Sequence, residues 1–143
     1  IDIENLQAEK GFKGLMTYTH SKSIMEAMSI ALSKELQSEE ISVNIIFPGR
    51  ASTTMTRSLS SKSLPGLMKL MFPFFKLYFS DDGGKSASLA AKSTIWGATS
   101  SELEGITGRY FDTNMKEQSL HPTAYDENVQ SKILHIITST LHS

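Results

Sequence analysis

The sequence has 143 residues, of which 39% are hydrophobic and 20% charged, which is typical of one globular domain with a hydrophobic core. Its formal net charge of -1 offers no electrostatic basis for binding nucleic acid, so we expect no nucleic-acid partner. Cysteine is absent, which excludes disulfides and thiolate catalysis.

The first predicted element is a long amphipathic helix that follows a polar segment. Residues 1–13 are mostly polar, with Gly11 inside the segment and Gly14 directly after it, and predict a loop with a short helical turn. Residues 18–36 predict a helix, with Thr17 as its N-cap. Apolar residues recur there every three or four positions, as on a buried helical face. These residues are Ile24, Ala27, Met28, Ala31, Leu32 and Leu36.

Tyr18 and Lys22 are the candidate catalytic residues of this helix. They are four residues apart, which places both side chains on one helical face, one turn from each other. A nearby ammonium favours the charged form of a phenol, so the pair suits proton transfer to or from an alcohol. The plainer interpretation is a solvent-facing Tyr and Lys. His20 lies on another face and is predicted to be a surface or interface residue.

A buried strand and a turn follow the helix. Residues 41–47 end in a continuous apolar run, which favours a strand of a parallel sheet. Pro48 and Gly49 end it. Ligands of open α/β sheets bind beyond the carboxyl ends of the strands, so residues 48–53 are predicted to lie beside a ligand. A simple Pro-Gly turn is the alternative.

The order of these features resembles the C-terminal half of the short-chain dehydrogenase/reductase family. That family has the motif Tyr-x-x-(Ser/Ala)-Lys, then a helix, a strand and Pro-Gly-x-(Val/Ile)-x-Thr. Residues 3–10 and 105–111 are similar to segments of microsomal-type retinol dehydrogenases. The resemblance implies an α/β fold, namely the C-terminal portion of a Rossmann-type, doubly wound parallel sheet.

The resemblance also implies NAD(P)-dependent interconversion of an alcohol and a carbonyl, with NAD and NADP both open. Tyr18 would transfer the proton, and Lys22 would bind the nicotinamide ribose. Ala51 departs from the Val or Ile of the family, which weakens packing there and leaves a backbone contact. The cofactor-binding residues implied by the motifs are Tyr18, Lys22, Pro48, Gly49, Ala51 and Thr53.

No glycine-rich phosphate-binding loop is present in the sequence. Asp82-Gly83-Gly84-Lys85 follows a polar loop and is predicted to begin a helix. We therefore expect the sequence to be one partial domain. The glycine-rich loop and the family's catalytic serine are expected before Ile1, and the isolated chain is expected to be inactive.

Residues 54–80 are the predicted substrate lid, because the resembling family has its lid in this region. Residues 64–79 are the most apolar stretch and predict two short helices joined at Pro73. A membrane-interface segment and a core segment are the alternatives. The Leu-, Met- and Phe-rich composition of this segment predicts an apolar substrate, and the resemblance implies a retinoid- or lipid-like one. The rival function is a non-catalytic scaffold or membrane-associated binding protein. Cytoplasmic and endoplasmic-reticulum locations, membrane-surface association and a homodimer stay open.

The remaining sequence predicts two further helices and one strand. Residues 81–98 predict a helix capped by Asp81 or Asp82, and residues 105–111 a short strand. Residues 114–126 predict a loop, and residues 126–141 an amphipathic helix. The four histidines are scattered, without the spacing of metal ligands, so we expect no metal.

Overall fold

The computed structural model describes residues 1–11, 14–49, 69–70, 72–74 and 87–141. Its α-helices are α1 (Gly14–Glu35), α2 (Ala87–Thr99) and α3 (Glu127–Leu141). Its strands are β1 (Ile45–Ile46), β2 (Tyr110–Phe111) and β3 (Glu117–Gln118). Short 3-10 helices cover Ile3–Asn5, Leu36–Glu39, Ser101–Leu103 and Pro122–Tyr125. Of the helices in the described ranges, none has the length and hydrophobicity that a bilayer crossing requires.

The N-terminal segment is attached to α1 by a histidine. The Asp2 carboxylate accepts a hydrogen bond from the Glu4 backbone N–H at 3.2 Å and caps the turn Ile3–Asn5. The Asp2 backbone N–H in turn donates to His20 Nε2 at 3.0 Å. The predicted short turn is therefore confirmed, and His20 is an interface residue between two segments, as expected.

Helix α1 begins earlier than the sequence pattern predicted. Its first residue is Gly14, whose φ of 40° is a conformation that glycine adopts without steric cost. Thr17 therefore lies inside the helix, and the prediction that it is the N-cap is wrong. The helix ends at Glu35, within one residue of the predicted end.

Strands β1 and β2 form a parallel pair, with Ile45 opposite Tyr110 and Ile46 opposite Phe111. The backbone N–H of Ile45 donates to Arg109 O, and that of Phe47 to Phe111 O, both at 2.8 Å. Helix α2 lies between the two strands in the chain, so β1, α2 and β2 form a β–α–β unit. The α/β fold class is thus confirmed, although the regular strand is shorter than the predicted 41–47.

Strand β3 is absent from the sequence-based prediction. It pairs antiparallel with β2, and the order of strands among the described residues is β1-β2-β3. The predicted loop 114–126 is therefore wrong in part, because it contains β3 and the 3-10 helix Pro122–Tyr125. Glu117 and Gln118 are both exposed and polar, so the strand carries no apolar alternation that would reveal it.

Helix α2 packs directly on β1 through a glycine. A Cβ on Gly97 would lie 2.7 Å from Ile46 Cγ1 and 2.8 Å from Ile46 Cδ1. Next to it, the Trp96 ring meets the Phe111 ring edge-on, with centroids 5.2 Å apart. The missing side chain therefore allows the helix to approach the sheet closely, and the indole covers β2. The predicted caps Asp81 and Asp82 and the cluster Asp82 to Lys85 lie outside the described residues.

The hydrophobic core lies mainly between α1 and α3. Ala27 and Ile133 are 0% and 1% exposed, and they come from opposite ends of the chain. Asp126 precedes α3 and caps it: its carboxylate accepts from the Asn128 N–H at 2.9 Å and from the Val129 N–H at 3.3 Å. The buried residues of this cluster are Ala27, Ile30, Ile45, Leu120, Ala124, Val129 and Ile133.

Candidate functional site

Tyr18 and Lys22 are in contact on the outer surface of α1. Lys22 Nζ lies 5.7 Å from the centroid of the Tyr18 ring, within the range of a cation–π contact. Tyr18 is 46% exposed, and Lys22 is exposed as well. The helical spacing therefore produces a phenol and an ammonium side by side, and both are accessible to a ligand.

The side chains next to Tyr18 in sequence make structural hydrogen bonds instead. Thr19 Oγ1 donates to Met16 O at 2.9 Å, and Ser21 Oγ donates to Tyr18 O at 2.8 Å. Such bonds to the preceding helical turn hold short hydroxyl side chains against their own helix. Thr19 and Ser21 are exposed as well, but their hydroxyl groups bond to the α1 backbone, whereas Tyr18 and Lys22 contact each other.

The Pro48–Gly49 loop leaves the carboxyl end of β1, where ligands of open α/β sheets bind. Phe47 is 45% exposed and Pro48 is also exposed, so the chain reaches the surface there. Gly49 has a φ of +80°, which a residue with a side chain rarely adopts. The other two candidate residues, Ala51 and Thr53, lie outside the described residues.

Thr113 contacts this loop, and the sequence analysis missed it. A Cβ on Gly49 would overlap the Thr113 Cγ2 methyl group, so that methyl lies directly against the glycine. Thr113 follows β2, and β2 is parallel to β1, so both residues lie beyond carboxyl ends of paired strands. The contact joins residues far apart in the chain, and no local pattern indicates it.

Asp112 organises the turn that carries Thr113. Asp112 Oδ1 accepts from the Asn114 N–H at 2.7 Å and from the Lys116 N–H at 3.1 Å, and Oδ2 accepts from Gln118 Nε2 at 3.2 Å. The bond from the Lys116 backbone, aided by those from Asn114 and Gln118, holds the pKa of the Asp112 carboxyl below its usual value, although desolvation opposes this. Asp followed by Asn two residues later was the available sequence signal for such a turn.

The lowered pKa of Asp112 predicts a loss of stability in acid. A carboxyl whose pKa is lower in the folded state stabilises the protein above its unfolded pKa, near 4. That contribution disappears as the pH falls through the folded pKa. We expect Asp112→Asn to lower the urea midpoint at pH 7 and to have a smaller effect near pH 3. If the urea midpoints of the parent and of Asp112→Asn differ by the same amount at pH 7 and at pH 3, this prediction is wrong.

Two further residues, Glu26 on α1 and Tyr110 on β2, have shifted pKa values. Burial raises the pKa of Glu26, while the nearby charge of His121 opposes that shift. Burial, followed by the negative charges of Glu26 and Asp112, raises the pKa of Tyr110 on β2. Tyr110 therefore holds its proton more firmly than an ordinary tyrosine. This makes it a poor candidate for acid–base catalysis near neutral pH.

The β–α–β unit makes this an α/β domain, and α1 carries an exposed tyrosine–lysine contact. The family model described as short chain dehydrogenase matches residues 1–64, which include Tyr18, Lys22, Pro48 and Gly49. The resemblance to the short-chain dehydrogenase/reductase family that was drawn from the sequence is thus confirmed.

Similar curated proteins are retinol and polyprenol dehydrogenases. Human retinol dehydrogenase 14 is 30% identical over 136 residues, covering 95% of the chain and 38% of that protein. Mouse retinol dehydrogenase 13 is 33% identical, covering 93% and 38%. Zebrafish (Danio rerio) polyprenol dehydrogenase is 27% identical, covering 93% and 39%. The chain thus spans about two fifths of the length of these relatives. No solved structure is significantly similar to it.

Proposed function

We propose that the protein is an NAD(P)-dependent oxidoreductase that interconverts an alcohol and a carbonyl compound. The observation that carries the proposal is the exposed contact between Tyr18 and Lys22 on one face of α1. A phenol that exchanges a proton with a substrate oxygen needs access to ligand and a neighbouring positive charge, and this pair supplies both. The match of residues 1–64 to the short chain dehydrogenase family supports the same reaction class.

In this mechanism residues of the protein carry out the proton transfer. Tyr18 Oη donates its proton to the carbonyl oxygen during reduction and takes the alcohol proton during oxidation. The Lys22 ammonium stabilises the negative charge that the Tyr18 oxygen carries once its proton has left. When bound, the nicotinamide cofactor supplies or accepts the hydride at the substrate carbon. The family resemblance also assigns to Lys22 a hydrogen bond to the nicotinamide ribose.

The topology supports one shared site for the pair and the loop. Helix α1 leads through the 3-10 helix Leu36–Glu39 and a short segment into β1. Because consecutive elements are usually adjacent in space, we expect β1 to run back alongside α1. Tyr18, near the start of α1, and Gly49, after the end of β1, would then lie at the same end of the α–β unit. The residues proposed to hold the cofactor there are Tyr18, Lys22, Pro48, Gly49, Ala51 and Thr53.

The glycine loop suits a nicotinamide cofactor. Gly49 carries no side chain, has a φ of +80° and lies half-buried beyond the carboxyl end of β1. Close approach of backbone to a ligand is one of the uses of glycine at such positions. We propose that Pro48, Gly49 and Ala51 line the nicotinamide pocket through their backbone. Thr53 is proposed to hydrogen-bond the carboxamide or phosphate of the cofactor.

An apolar, retinoid- or lipid-like substrate is the second part of the proposal. In the predicted lid, Leu70 and Phe74 are 81% and 69% exposed, and an apolar ligand would be drawn to such side chains. The other residues of the segment 54–80 lie outside the described residues, apart from 69–70 and 72–74. The names of the similar proteins, retinol and polyprenol dehydrogenase, point to the same substrate class.

Polarising Phe74 tests this substrate class. We expect Phe74→Ser to raise the KM for long-chain aldehydes about 5- to 30-fold and to leave that for short-chain aldehydes within about twofold, because one lost apolar contact is worth about 1–2 kcal/mol. Ile95→Ser is the matched control, since Ile95 is an apolar residue of α2 that is 59% exposed. Equal changes for long and short substrates would favour a core or membrane role for the segment.

Turnover by the purified full-length protein is the direct test of the proposal. Retinol and polyprenol are assayed with NAD and with NADP, and the corresponding aldehydes with NADH and NADPH. We expect alcohol-dependent cofactor reduction that requires the Tyr18 hydroxyl. Binding of membranes or partners without any turnover would support the rival scaffold function instead.

A further inference from the structure

The contact between Thr113 and Gly49 joins two loops at the proposed cofactor site. Gly49 follows β1, Thr113 follows β2, and the two strands are parallel neighbours. A Cβ on Gly49 would overlap Thr113 Cγ2, so this methyl group occupies the space that a side chain would take. Thr113 is only partly buried, so the contact lies near the surface and outside the main core.

Thr113 is held rigidly by its own turn. The Asp112 carboxylate accepts hydrogen bonds from the backbone N–H groups of Asn114 and Lys116. The Asp112 backbone N–H also donates to Lys116 O at 3.0 Å, which closes the turn between β2 and β3. Met115 adopts a φ of 63°, a conformation that tight turns impose on few non-glycine residues. The methyl group of Thr113 therefore lies on a well-fixed piece of backbone.

Gly49, in contrast, has intrinsic conformational freedom. Glycine populates positive and negative φ about equally, so its own chemistry does not select the observed φ of +80°. A fixed methyl group against its α-carbon restricts that choice. From this geometry we propose that Thr113 is a positioning residue, whose Cγ2 methyl holds the Pro48–Gly49 backbone in the conformation that receives the nicotinamide end of the cofactor. The inference rests on the proposed function of this loop.

A role in positioning differs from a role in packing. If Thr113 only fills space, losing its methyl group lowers stability and affects every ligand equally. If Thr113 positions the loop, the loss lowers the fraction of molecules with a correctly placed loop. The apparent dissociation constant then rises by the reciprocal of that fraction, and only for ligands that reach the loop.

The experiment compares two substitutions that divide the threonine side chain. Thr113→Ser keeps the hydroxyl and removes the methyl, whereas Thr113→Val keeps the methyl and removes the hydroxyl. Thr107→Ser is the matched control, because Thr107 Oγ1 accepts from Val43 N–H at 2.9 Å at the other end of the same strand pair. In the full-length protein, calorimetry measures NADH, NADPH and ADP-ribose, which lacks the nicotinamide.

We expect Thr113→Ser to raise the dissociation constant of the dinucleotide about 5- to 10-fold, as for a loop correctly placed in roughly a fifth to a tenth of molecules. Thr113→Val and Thr107→Ser should stay within about twofold of the parent. ADP-ribose should bind all four proteins alike. Equal weakening of ADP-ribose and dinucleotide, or a Val variant that behaves like the Ser variant, would overturn the inference.

Amide hydrogen exchange tests the same inference without ligand. Exchange at Phe47 and Gly49 should accelerate in Thr113→Ser and not in Thr113→Val, and unchanged rates in both would overturn it. The proposed function fails in a different way. A parent protein that binds neither dinucleotide refutes the cofactor site, and a Tyr18→Phe protein that turns over normally refutes the proton-transfer role.

Discussion

Replacing Tyr18 by phenylalanine is expected to lower kcat by about 10²- to 10⁴-fold, which is the usual contribution of a positioned acid–base group. The substitution removes the hydroxyl and keeps the ring that lies 5.7 Å from Lys22 Nζ, so the fold of α1 should not change. Binding of NADH or NADPH is expected to stay within a few-fold. Steady-state turnover and calorimetric titration of the full-length protein give the two quantities.

Tyr125→Phe is the matched control for Tyr18→Phe. Tyr125 is 45% exposed, nearly the same as Tyr18, but lies in the 3-10 helix before α3, where its hydroxyl oxygen accepts from the Leu120 N–H at 3.4 Å. We expect this variant to keep its kcat. If Tyr18→Phe retains more than about a tenth of the parent activity, Tyr18 does not transfer the proton.

The second large effect is expected on stability, for Gly49→Ala. The new methyl group meets two obstacles: a φ of +80°, which costs a non-glycine residue about 1–2 kcal/mol, and the overlap with Thr113 Cγ2, worth about 1–3 kcal/mol. We therefore expect the free energy of unfolding to fall by about 2–5 kcal/mol. Urea denaturation monitored by circular dichroism measures the change.

Two further variants measure separately the cost of the positive φ and the cost of the overlap with Thr113. Gly105 has a φ of +71° and no heavy atom within 4 Å of where a Cβ would lie, so Gly105→Ala carries the conformational cost alone. Adding Thr113→Ser to Gly49→Ala removes the overlapping methyl and should return the loss to the level of Gly105→Ala. A double variant no more stable than Gly49→Ala would show that Thr113 is not the obstacle.

The elements with a strong hydrophobic period were predictable from the sequence. Apolar residues spaced by three and four located α1 and α3, because each of these helices buries one face against the other. Two features were not predictable. Strand β3 consists of two exposed polar residues, Glu117 and Gln118, and forms because it pairs with β2. Helix α1 starts at Gly14 through a backbone conformation that composition does not reveal.

Some residues of the candidate site were likewise predictable from the sequence, and one was not. Tyr18 and Lys22 are one helical turn apart, so a local rule predicts their contact. The position of Gly49 follows from the end of a strand, which an apolar run reveals. Its partner Thr113 is distant in sequence, and their contact depends on the register of β1 against β2. Long-range packing of this kind leaves no trace in a single sequence.

The location of the core between α1 and α3 has a consequence for synthesis in the cell. Ala27 and Ile133 lie roughly 100 residues apart in the chain, so a ribosome adding about 5–20 residues per second needs on the order of 5–20 s between them. During that interval α3 does not yet cover the apolar face of α1, and the part of that face that α3 buries is exposed to other chains. We therefore expect the nascent protein to depend on holding chaperones, and a product truncated before α3 to aggregate.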